Sequence, residues 1–173
     1  MDLRKIYVTL TVKWALYVLL AYAAYILQTT PGLFQLFGVK PVLLVPVCVA
    51  AAALEGEYAG AFFGVFCGLL WDMAAGRIAG FFALFCAGCC FAVGLIFKAY
   101  LRQNRLNVIL VNGGVLTVLF MADFLFSYVL FNIQGVGQVL AFRMLPTVLY
   151  SALVAPIPFW IARRIHLKFT PEE

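Results

Sequence analysis

Two carboxylates and two guanidinium groups stand in or beside stretches that are otherwise apolar: Asp72 and Asp123, Arg77 and Arg143. A charge at bilayer depth is expensive, so each is a candidate functional group by default, with a partner to be named. Counted from the middles of the expected helices at ~1.5 Å per residue, both aspartates lie roughly 8 Å outward of the midplane, and Arg143 about 12 Å outward. Three chemistries suit such a cluster: an internal ion-pair or capping set that locks helices, a contact with a partner's membrane segment, or a site for a transported ion or substrate. Contact between Asp72 and Arg143 is one pairing to test. Lys13, inward of the middle of the first helix, is expected to snorkel to the surface along its own stem. His166, the single histidine, stands in a basic tail suited to lipid headgroups rather than to metal.

Other reactive sets are incomplete. The five cysteines, Cys48, Cys67, Cys86, Cys89 and Cys90, all fall in apolar segments. Cys86-Ala-Gly-Cys89 has the form C-x-x-C but lacks a histidine or a second pair, and its thiolates would have to form in hydrocarbon. No Walker sequence, Ser-His-Asp or Cys-His set, H-E-x-x-H or paired metal carboxylates occur. An enzyme is not expected, nor is any cofactor or metal.

What must position Asp72 is a stripe. Glycine recurs at Gly56, Gly60, Gly64 and Gly68; Asp72 takes the next place in the count of four, and Gly76, Gly80 and Gly88 follow. Positions four apart share one drifting face of a helix. In water such glycines weaken a helix by about 1 kcal/mol each against alanine; in lipid, small residues let another backbone approach closely. The stripe is therefore either a packing surface within the chain or a seat for a second protein, and the two are compatible.

The 173 residues are 66% hydrophobic and 11% charged, against roughly 45–50% and 25% in soluble domains. An all-α integral membrane protein follows, a single polytopic domain over residues 1–173. Its net charge of +5 is spread over loop ends, which points to the bilayer rather than to nucleic acid. Helices are expected over about 6–27, 41–54, 57–75, 81–97, 108–131 and 139–161. Pro41 would open the second, Pro146, Pro156 and Pro158 would kink the sixth, and a polar tail from Arg163 would close the chain. Arg4, Lys5, Lys98, Arg102, Arg105, Arg163, Arg164 and Lys168 fall on one side of this layout, and Lys40, Arg77 and Arg143 on the other. The positive-inside rule then places both termini in the cytoplasm.

The stretch Gly64-Val-Phe-Cys-Gly68-Leu-Leu-Trp-Asp72-Met-Ala-Ala-Gly76-Arg-Ile-Ala-Gly80 resembles the signature of the rod shape-determining protein MreD family, a G-x-x-x-G-x-x-x-D followed by a small-residue turn and a glycine. Length, six helices and Lys40-Pro41-Val42 match as well. Val42 stands where relatives often carry a polar or acidic residue, and the glycine stripe extends unusually far back, to Gly56. The resemblance carries Gly64, Gly68, Asp72 and Gly80 over to the family's motif. It implies a non-enzymatic, multi-pass subunit of the elongasome in the bacterial cytoplasmic membrane. Such a subunit binds MreC and works with MreB, RodA and a class B penicillin-binding transpeptidase in lateral peptidoglycan synthesis. The bare stripe ending in a carboxylate could receive MreC's membrane helix, and pairing with a second copy of the chain stays open.

The rival reading is the substrate-binding component of an energy-coupling-factor vitamin transporter, whose fold the family is thought to share. Such components commonly dock through an Ala-x-x-x-Ala pair in the first helix. Here Ala15, Ala21, Ala23 and Ala24 contain no two that are four apart, and polar groups in the outer loops are few.

Overall fold

A computed structural model describes residues 3–30, 41–75, 80–101, 104–126 and 145–169, and all regular structure among them is helical. The helices are α1 (Leu3–Thr29), α2 (Leu44–Glu55), α3 (Glu57–Ala75), α4 (Phe81–Ala99), α5 (Arg105–Phe124), α6 (Leu145–Val154) and α7 (Pro156–Phe169).

The bundle is built around α2. Its sequence, LVPVCVAAAALE, is apolar on every face, and a helix of that kind is stable only when enclosed on all sides. Every residue from Leu44 to Leu54 is buried, and α2 touches each of the other six described helices. The run Ala50 to Ala53 offers little more than a methyl group per residue, which lets neighbours close in. With 12 residues, or about 18 Å at 1.5 Å per residue, α2 is shorter than a hydrocarbon core of about 30 Å. It is an internal post and does not cross the bilayer by its own length.

Four described stretches are long and apolar enough to cross a membrane: Tyr7–Thr29, Phe81–Ala99, Leu106–Phe124 and Leu145–Phe169. The last takes α6 and α7 together. Counted so, six helical units are present among the described residues, but α2 is short and α3 carries Glu57 and Asp72 within its apolar run.

Several expected boundaries move. Pro41 does not open α2; the helix begins at Leu44, and Pro46 takes a place in its first turn, where a missing N–H costs no intrahelical bond. The break in the last span falls at Ala155, immediately before Pro156, while Pro146 sits harmlessly in the first turn of α6. The segment from Arg163, expected as a polar tail, is helical to Phe169. The helix that contains it, α7, is amphipathic, with Phe159 and Ala162 buried and Arg163 and Arg164 exposed. The expected helical residues 127–131 and 139–144 lie outside the described residues.

Candidate functional site

The glycines of α3 meet helices of the same chain. A Cβ added at Gly60 would lie 2.5 Å from Ala52 of α2, one at Gly64 2.9 Å from the Cys86 carbonyl oxygen, and one at Gly68 2.4 Å from Ala83 Cα. α4 returns the arrangement, since a Cβ at Gly94 would fall 2.4 Å from Glu57 Cα. Backbone stands against backbone along the α3–α4 seam. The stacked rings of Trp71 and Phe82, 4.2 Å apart and 9° from parallel, lie at its far end. For Gly60, Gly64 and Gly68 the space opposite is filled by α2 and α4. Gly56 and Gly80 have open space but positive φ, 92° and 95°, so they serve as turns that L-residues enter poorly. Gly88 also has open space.

Asp72 ends the stripe as a helix cap. Its Oδ2 accepts hydrogen bonds from the backbone N–H of Gly80 at 3.0 Å and of Ala83 at 3.2 Å, and its Oδ1 accepts one from Phe82 at 3.0 Å. Those donors belong to the first turn of α4, whose N–H groups have no intrahelical partner and attract negative charge. Within lipid, water is absent and an unmet N–H costs several kcal/mol. The carboxylate of one helix thus supplies what the next helix cannot supply for itself. Asp123 is buried, at 7% exposure. Gly76, Arg77 and Arg143 lie outside the described residues, and with them the expected four-charge cluster and the Asp72–Arg143 pairing.

At the opposite end of α3 lies a polar node that the expectations missed. Glu55, the last residue of α2, receives Lys13 Nζ at 2.7 Å on Oε2, and the Tyr17 hydroxyl at 2.9 Å on Oε1. His166 Nδ1 lies 2.7 Å from the same Oε1. The carboxylate therefore joins α1, α2 and α7. Lys13 is 4% exposed, so it does not snorkel to the surface: an acid at hand inside offers a shorter route to neutralisation than the long stem does. Nor is His166 turned to headgroups; it faces Glu55. One signal could have found the node. A lysine within an apolar helix needs a counter-ion, and Glu55 and Glu57 are acids bracketing the nearest expected turn. Glu57 instead pairs with Lys98, 2.7 Å away and largely exposed.

The start of α2 is held by side chains too. Gln28 Oε1 accepts from Leu43 N at 3.0 Å and Leu44 N at 3.3 Å, and Ser151 Oγ accepts from Val42 N at 2.8 Å. Between α1, α2 and the α6–α7 break runs a cavity of about 240 Å³, lined by Leu20, Ala23, Leu27, Val47, Val154, Ile157 and other apolar residues. It offers contact to hydrocarbon and no hydrogen bond to a polar ligand. The five cysteines are free thiols, four of them buried, and they pack the interior.

A family profile described as rod shape-determining protein MreD matches residues 9–170, nearly the whole chain. No curated protein and no solved structure matches.

Proposed function

The chain belongs to the rod shape-determining protein MreD family, and from that premise we propose that it is a non-enzymatic, multi-pass subunit of the elongasome in the bacterial cytoplasmic membrane. In this reading it binds MreC and supports lateral peptidoglycan synthesis alongside MreB, RodA and a class B penicillin-binding transpeptidase. The observation that carries the reading is the match over residues 9–170.

The use of the polar groups supports it. Asp72, Gln28 and Glu55 are engaged in holding helix ends and joining helices, as a scaffold requires. The cavity beside the α6–α7 break has apolar lining, which suits hydrocarbon better than a vitamin. With Gly60, Gly64 and Gly68 filled from within, MreC's helix would dock on an outward face, such as the exposed sides of α1 or α5.

Gentle detergent extraction of the tagged chain from its own cells tests this, with partners identified by mass spectrometry. Recovery of MreC in stoichiometric amount, and rounding of rod cells on depletion, are the expected results. Arrival with a polytopic coupling subunit and two ATPases, with a vitamin requirement on depletion, would replace the reading by the transporter component.

A further inference from the structure

The outward face of α7 carries Pro156, Trp160, Arg163, Arg164 and Leu167, spaced as one side of a helix. The opposite face, with Ala162 and His166, is turned to the core and to Glu55. Arg164 lies over the Trp160 ring, 4.0 Å from its centroid. Beneath the two arginines is a shallow cleft of about 270 Å³ walled by Pro156, Phe159, Trp160 and Leu167. Both guanidinium groups are exposed, and among the described residues neither forms an ion pair. Glu55 is engaged on the other side of the helix by Lys13 and His166.

Two guanidinium groups at the polar end of an apolar span, without an ion pair among the described residues, each offer planar donors to phosphate oxygens. A tryptophan beside them has the interfacial preference of that residue. The cleft continues the same surface toward the hydrocarbon with apolar walls. We propose that this face of α7 is a binding site for an anionic phospholipid, Arg163 and Arg164 taking the headgroup phosphate and the cleft between Pro156, Trp160 and Leu167 taking the start of an acyl chain. The phosphate chemistry alone would also admit free phosphate; the apolar continuation of the cleft selects the lipid. Basic clusters beside a membrane helix commonly recognise anionic leaflets, and here the arrangement is specific to one side of one helix.

Native mass spectrometry of the full-length chain in detergent tests the proposal, with phosphatidylglycerol and phosphatidylcholine offered in equal amounts. Phosphatidylglycerol should be retained in preference on the unaltered protein. Arg163→Gln with Arg164→Gln should weaken its retention roughly tenfold or more, by loss of two basic contacts. Lys98→Gln, which removes another exposed cation, should leave it unchanged. Equal retention of the two lipids by the unaltered chain would overturn the proposal without reference to any variant. So would a Lys98→Gln effect as large as that of the arginine pair, which would mean diffuse charge attraction. Displacement of the bound lipid by inorganic phosphate at millimolar concentration would assign the arginines to a free anion and overturn the lipid as occupant.

Discussion

Glu55 and Asp72 are carboxylates of the same helical hairpin with different tasks. Asp72 meets three backbone N–H groups, so its charge is balanced by the partial charges of a helix start. Asp72→Ala should lower stability by about 1–3 kcal/mol, the range for losing bonds to a charged group or an effective cap. Asp72→Asn, which keeps acceptor capacity, should fall between; thermal unfolding in detergent orders the three proteins. Glu55 meets side chains from two other helices, and its pair with Lys13 is enclosed, at 11% and 6% side-chain exposure. Removing one partner of a buried pair costs about 3–5 kcal/mol, and Glu55→Ala should approach that range. Adding Lys13→Met to Glu55→Gln should then cost less than the two single changes summed. A coupling of about 0.5–3 kcal/mol is expected for residues in direct contact, and strict additivity would remove Lys13 from the node.

At the scale of the elements, the glycines of α3 and α4 separate into filled and open positions. Gly68→Ala would place a methyl group 2.4–2.7 Å from the backbone of Phe82 and Ala83. No side-chain rotation relieves that contact, so α3 must move away from α4, at about 1–3 kcal/mol by the usual cost of overpacking. Gly88→Ala has nothing within 4 Å and should be neutral or slightly stabilising, by up to about 1 kcal/mol of helix propensity. A comparison of their melting temperatures tests the seam directly; equal effects would mean that the helices are not in backbone contact. The stripe itself is visible in the residue spacing. Which helix fills it is not, because a fourfold glycine repeat specifies a bare surface and says nothing of what approaches it.

Across the whole molecule, polar contacts gather at two ends. Glu55, Glu57, Lys98 and His166 lie together at one, while Gln28 meets the start of α2 at the other. The exposed cations Arg163 and Arg164 follow α7 toward the Glu55 end, which the positive-inside rule would place in the cytoplasm. Tyr100, 88% exposed just past α4, belongs to that end, and Thr30, just past α1, to the other. Tyr100→Cys should react with a membrane-impermeant maleimide from the cytoplasmic face only, and Thr30→Cys from the outer face only, each scored over the labelling of the unaltered chain. The reverse pattern would invert the topology. Composition and periodicity by themselves determined that this chain is helical and apolar enough for a membrane, and the G-x-x-x-G-x-x-x-D spacing carried its family, because these properties are local and read along one dimension. Tertiary structure alone decided that α2 is the enclosed post, that α4 and α2 fill the glycine stripe, and that Lys13 and His166 converge on Glu55. The last of these depends on residues 42 and 111 positions apart coming within hydrogen-bond distance. A buried charged side chain in an apolar helix is stabilised by a partner on another helix, and the linear order of residues does not state which helices are neighbours.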